Sequence, residues 1–134
     1  MDCIFCKIAN KEINSNFVYE DDIVMAIMDI SPVCDGHVLV IPKNHYETVF
    51  DIPNDVMNHI LKVTNKIKDK IMDVTNEKGV TLTVNYGDKQ EVKHMHLHIL
   101  PNIHKPRLCK IKAPHPLLTT QWGQRLRHYC SLLE

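Results

Sequence analysis

The chain has 134 residues, 44% hydrophobic and 24% charged, an ordinary composition for one folded domain that buries its own core. Its 16 Lys and Arg balance 16 Asp and Glu, which excludes the broad positive field of a general nucleic-acid binder but leaves room for a local phosphate site. No apolar run approaches the roughly 20 residues of a membrane span. The opening Met1-Asp2-Cys3-Ile4-Phe5-Cys6-Lys7 lacks the basic leader and long apolar stretch of a secretory signal. Five cysteines are an odd number in such a chain, so a disulfide framework is not expected and a reducing, cytoplasmic setting is.

In chain order, Phe17–Glu20 and Ile23–Met28 read as two strands joined by the polar turn Asp21-Asp22. Ser31-Pro32 and Asp35-Gly36 mark a loop, and His37–Ile41 is a third strand stopped by Pro42. Val56, Ile60, Val63, Ile67, Ile71 and Val74 recur at spacings of three and four. They predict an amphipathic helix from Pro53 of about six turns, ended by Asn76 and Gly79. Val80–Asn85 alternates with period two, as does His94–Leu100. Prolines then mark an irregular stretch, and Trp122, Leu126, Tyr129 and Leu133 suggest a short final helix. Strands with a segregated helix predict an α+β fold around an antiparallel sheet of about five strands. The single domain spans 1–134, with its core at about 3–101 and a tail at 102–134.

His94-Met95-His96-Leu97-His98-Ile99-Leu100 is the most informative segment. In an extended chain its three imidazoles share one face, and Met95, Leu97 and Ile99 face a core. Neighbouring imidazoles are then roughly 6.6 Å apart along the strand, so three of them do not converge easily on one metal. Separate tasks along a cleft fit better. The bland alternative is a solvated, histidine-rich face, which strict alternation and an apolar reverse side argue against. The middle imidazole suits nucleophilic attack on phosphorus, dividing one difficult displacement into two easier ones. Its neighbours can orient it and donate hydrogen bonds to charged oxygens.

These residues resemble the signature of the histidine triad (HIT) family. Asp29-Ile30-Ser31-Pro32 and Gly36-His37-Val38-Leu39-Val40-Ile41-Pro42-Lys43-Asn44-His45 resemble its second block, and Asn85 with Gly87 its third. Cys3-Ile4-Phe5-Cys6-Lys7-Ile8 resembles the opening of bacterial-type members. The resemblance implies a nucleotide hydrolase or transferase that cleaves the α-phosphate bond of purine nucleoside phosphoramidates or related nucleotides. His96 matches the nucleophile that becomes nucleotidylated, supported by His98 and His37. Asp29 matches the residue that holds the ribose hydroxyls, and Asn85 the phosphate-lining asparagine. Phe5, Ile13, Ile27 and Leu39 fall where the family lines its nucleoside pocket, and Gln90 and Glu91, in the adjoining loop, are expected to contact the nucleotide as well. No catalytic metal is required. The resemblance also implies a homodimer whose subunits join their sheets. In one departure, Lys89 stands where a glycine is expected, which bears on access for the leaving group.

Cys3-x-x-Cys6 alone is a weak signal for buried thiols, a redox pair or half a zinc site, and the βαβ unit usual for a redox pair is not evident. The resemblance to bacterial-type members adds His45 and His94 as partners, implying structural zinc on Cys3, Cys6, His45 and His94. Cys34, Cys109 and Cys130 lack partners at ligand spacing. His59, His104, His115 and His128 read as surface histidines, and Lys105, Arg107, Lys110 and Lys112 as a solvated basic loop. The rival readings are a dinucleoside polyphosphate hydrolase, a nucleotide-binding module without catalysis, and a zinc-stabilised interaction protein.

Overall fold

The structure, a computed structural model, describes residues 3–102. The expected final helix, Cys109, Cys130 and the tail histidines and basic residues lie outside the described residues. In order come α1 (Ile4–Ala9), β1 (Phe17–Glu20), β2 (Val24–Met28), β3 (Val38–Pro42), α2 (Asn54–Thr75), β4 (Thr81–Thr83) and β5 (Leu97–Leu100). The five strands form one antiparallel sheet in the order β1-β2-β3-β5-β4. Single 3₁₀ turns cover Val49–Asp51 and Gly87–Lys89.

The sheet has an apolar layer on each face. Val24, Ala26, Met28, Val38 and Val40 pack on Ile60, Val63, Ile67 and Ile71 of α2. Their sequence neighbours Met25, Ile27, Leu39 and Ile41 point the other way, onto Phe5 and Ile8 of α1. Strands β2 and β3 are therefore buried at every position. Each fully buried aliphatic side chain here contributes about 1.5–3 kcal/mol.

Helix α2 has the expected length and face. Asp55 sits in its first turn, where the helix dipole favours an acid. Asn76 ends it at φ 57°, donating its N–H to the Met72 carbonyl. The β1–β2 turn is tied to this helix through Asp21. Asp21 Oδ1 accepts from the amides of Ile23 and Val24, both at 2.8 Å, and Oδ2 accepts from Tyr19 at 2.8 Å and His59 at 2.6 Å. Burial would raise this carboxyl, but those donors outweigh it and hold its pKa at about 2. His59 thus has a structural partner and is more than the surface histidine expected.

The triad segment differs from expectation at its start. Strand pairing begins only at Leu97, opposite Val40, rather than at His94. Upstream, the chain turns to the loop after β3, where the Met95 amide donates to the Tyr46 carbonyl at 2.8 Å. Alternation nevertheless persists, with Met95, Leu97 and Ile99 in the α2-side core. The edge strand beside it, β4, is Thr81–Thr83 rather than 80–85, and Leu82 is exposed.

Candidate active site and metal cluster

Four of the nine histidines of this chain, His37, His94, His96 and His98, lie together around residues 94–98 and the start of β3, and His45 joins them through His94 at 4.9 Å between ring centroids. The ring centroids of His96 and His98 are 5.0 Å apart, and those of His37 and His98 5.1 Å. Phe5 of α1 sets its ring edge-on against both His94 and His96, at 5.8 and 5.0 Å. Three of the four are buried: His37 to 2% exposure, His94 to 0% and His96 to 8%.

The backbone fixes where each imidazole carries its proton, because a carbonyl only accepts and an amide only donates. His96 Nδ1 lies 2.8 Å from the His94 carbonyl. That contact requires an N–H at Nδ1 and leaves the lone pair on Nε2. His94 Nε2 lies 2.7 Å from the Pro42 carbonyl, so its lone pair is on Nδ1. His37 is reversed: its Nδ1 accepts from the Val33 amide at 3.1 Å. A neutral His37 then carries its proton on Nε2, 2.9 Å from His98 Nδ1. His98 in turn has its proton on Nε2, a buried atom with no hydrogen-bond partner among the described residues.

Burial favours the neutral form of His37, His94 and His98. It pushes His37 down to about 4, and the positive forms of His98 and His96 would add to that, while Asp29 opposes it. His98 is also lowered, by burial and then by His96, against Asp29. Asp29 Oδ2 is 3.6 Å from His37 Nε2. Its Oδ1 accepts from the Ser31 amide at 2.9 Å, so the carboxylate is held at the end of β2 beside the histidines.

The remaining expected site residues divide. Phe5, Ile27 and Leu39 fall in one apolar cluster on the α1 face. Ile13 is 38% exposed and is not among that cluster's members. Asn85 is half-buried just beyond β4. Gln90 is buried, and its amide donates to the carbonyls of Glu47 at 2.6 Å and Val92 at 3.0 Å. It therefore braces the loop. Glu91 lines an open pocket of about 510 Å³ with Cys3, Ile4, His45, Glu47, Val92 and Lys93.

Cys3, Cys6, His45 and His94 converge from the start of α1, the loop after β3 and the triad segment. Their ligand atoms all lie within 4.8 Å of one another. Cys3 Sγ and Cys6 Sγ are 3.3 and 3.6 Å from His94 Nδ1, and Cys6 Sγ is 3.4 Å from His45 Nδ1. A tetrahedral zinc with ordinary Zn–S and Zn–N bonds spaces sulfur and nitrogen roughly 3.5 Å apart. The cluster is thus compatible with zinc, and the His94 tautomer turns the required lone pair toward it.

Sequence reasoning did not foresee α1, the Val33 contact or the Asp21 lock. Phe5 and Ile8 at helical spacing were the available signal for α1. Val33 contributes only its backbone N–H to the contact with His37, which leaves no signal in its residue type.

Residues 10–105 match the HIT domain family. The chain is 34% identical to an adenylylsulfatase of Arabidopsis thaliana over 99% of this chain and 72% of that protein. It is 36% identical to an adenosine 5'-monophosphoramidase of Candida albicans over 74% of this chain and 69% of that protein. The fold superposes with a TM-score of 0.84 on a zinc-bound histidine triad family protein of Mycobacterium smegmatis, at 29% identity over 99% of this chain and 96% of that one.

Proposed function

The chain belongs to the HIT domain family, and from that premise we propose that it cleaves the α-phosphate bond of purine nucleoside phosphoramidates or related nucleotides through a nucleotidyl intermediate on His96. General nucleotide hydrolase or transferase chemistry follows from the family and from relatives such as the phosphoramidase and the adenylylsulfatase. The observation that carries the finer reading is the 2.8 Å bond from His96 Nδ1 to the His94 carbonyl. It leaves the Nε2 lone pair as the attacking atom, with no base needed to unmask it.

In this scheme Nε2 attacks the α-phosphorus, a phosphorus–nitrogen bond forms, and the bond to the leaving group breaks with its electron pair on that group. His98 Nε2–H donates to a phosphate oxygen or to the departing atom. Water then attacks phosphorus, the phosphorus–nitrogen bond breaks, and the monophosphate leaves. Asp29 takes the ribose hydroxyls and Asn85 lines the phosphate. Phe5, Ile27 and Leu39 face the nucleoside, with Ile13 at the outer rim. Gln90 and Glu91 act from the neighbouring loop, Gln90 by bracing it.

Cys3, Cys6, His45 and His94 hold a structural zinc in this reading, which ties the N-terminus to the segment that presents His96. The catalytic cycle uses no metal. The three described cysteines are free thiols, which fits a reducing, cytoplasmic setting. A homodimer joining its sheets along β4, an edge strand among the described residues, belongs to the same reading, supported by the exposed Leu82.

The test compares turnover of an adenosine phosphoramidate with that of a diadenosine polyphosphate, for the native chain and for His96→Ala. The phosphoramidate should be the better substrate, and His96→Ala should lose both activities while keeping its fold. Preference for the dinucleotide would favour the polyphosphate hydrolase. Full activity in His96→Ala would refute the mechanism, and nucleotide binding without cleavage by the native chain would favour a regulatory module.

A further inference from the structure

Three side chains of the phosphate site, Asp29, His37 and His98, bring their ligand atoms within 4.8 Å of one another. Two imidazoles and a carboxylate are also a common set for a divalent ion. What decides between a hydrogen-bond relay and a metal site is the group behind His37. That group is the Val33 amide, in the loop between β2 and β3.

The loop is built to hold this amide in place. The Ser31 amide donates to Asp29 Oδ1 at 2.9 Å, and the His37 amide donates to the Cys34 carbonyl at 3.3 Å. Cys34 is buried to 2% exposure. Gly36 turns the chain at φ +81°, and a Cβ there would meet Thr75 Cγ2 at 2.8 Å. The loop therefore folds back over the His37 ring. The Val33 side chain is 56% exposed, so the contact that matters is made by its backbone.

We propose that the backbone amide of Val33 is a positioning group for the phosphate site: by occupying the lone pair of His37 Nδ1, it holds the His37 proton on Nε2 and sets the direction of the His37–His98 hydrogen bond. His98 then accepts at Nδ1 and presents a donor at Nε2. The inference rests on the nucleotidyl-transfer reading only for the use made of that donor. The same lock makes Asp29, His37 and His98 a poor metal site. A metal on His37 Nε2 would drive the proton to Nδ1, setting two N–H groups face to face.

The groups facing His37 are Asp29, His98 and His96. None of them can replace the Val33 amide, because Asp29 lies on the Nε2 side at 3.6 Å and His98 on the same side at 2.9 Å. Without the amide, Nδ1 becomes free to take a second proton, and a charged His37 is stabilised by Asp29.

The direct test is ¹⁵N NMR of the histidine rings in the native protein with its Cys3–Cys6 cluster loaded with zinc. His37 should give an unprotonated Nδ1 and a protonated Nε2, and His98 the same pair. Further Zn²⁺ should leave both rings unshifted. Val33→Pro removes the N–H and should let His37 take up protons about one pH unit higher, cut kcat by about tenfold and change KM little. Val33→Ala keeps the N–H and should restore the native ring signals. A proton on His37 Nδ1 in the native protein, or a second zinc bound by its Nε2, would overturn the proposal even if Val33→Pro fails to fold. Native ring signals as expected, with no adduct on His96, would instead sink the catalytic reading and leave the tautomer assignment standing.

Discussion

Two histidine clusters share the segment 94–98, and the same side chain does opposite work in each. At the metal cluster a backbone carbonyl, that of Pro42, takes the His94 Nε2 proton and leaves a lone pair facing two thiols. At the cluster of Asp29, His37 and His98 proposed to hold phosphate, a backbone amide, that of Val33, takes the His37 lone pair and leaves a proton directed at His98. A carbonyl behind the ring makes a ligand, and an amide behind it makes a donor. His94 joins the two regions, since its carbonyl also fixes His96. The role of each imidazole is thus set by the chain that passes behind it.

The largest expected effect separates the clusters from the catalytic side. His96→Ala should lower kcat by roughly 10³-fold or more, while zinc content, measured by atomic emission, stays at the native level. The reverse experiment removes the metal side. Cys3→Ser with Cys6→Ser should abolish zinc binding and lower the melting temperature by several degrees or more, at roughly 4 °C per kcal/mol for a domain of this size. Its kcat should fall only about tenfold, because the Pro42 carbonyl still holds the His94 ring. A loss as deep as that of His96→Ala would mean the clusters are not separable.

Acid should act through the phosphate cluster. His37 is neutral in the fold, with its pKa lowered to about 4 from an ordinary 6.5. The folded state therefore binds fewer protons than the unfolded state between those values. Its contribution to stability is full above about 6.5 and is lost as the pH falls through 4. Melting curves of the zinc-free double serine variant across pH 7 to 4 isolate this loss from metal release. A flat profile would contradict the burial of a neutral His37. The smallest effect concerns the loop before the triad. Gly87 has φ +69° with open space where a Cβ would stand, so Gly87→Ala should cost about 1 kcal/mol from backbone strain alone. Its melting point should drop far less than that of Gly36→Ala, where strain and the Thr75 contact add.

The parts of the molecule written as periodic side chains were legible in the sequence. The stripe from Val56 to Val74 located α2, and alternation separated the triad imidazoles from Met95, Leu97 and Ile99. Strand ends were less legible. His94–His96 alternate like a strand, yet the Met95 amide finds its acceptor at Tyr46 in a loop. Helix α1 was hidden because six residues are too few for a clear helical period. The proton positions were not legible at all, because Val33, Pro42 and the His94 carbonyl contribute backbone groups that any residue type provides. Gln90 shows the converse. Its position near the triad suggests a contact with nucleotide but not the bracing of the loop, in which its side-chain N–H groups donate to the Glu47 and Val92 carbonyls.

The central claim is that His96 Nε2 forms a covalent bond to the phosphorus of its substrate. The most direct measurement is peptide mapping by mass spectrometry after trapping the native protein with a slowly turned-over adenosine phosphoramidate. One nucleotidyl group is expected, carried on the peptide containing His96 and absent from His96→Ala. A nucleotidyl group on any other residue, or rapid turnover with none trapped under any quench, would contradict the claim.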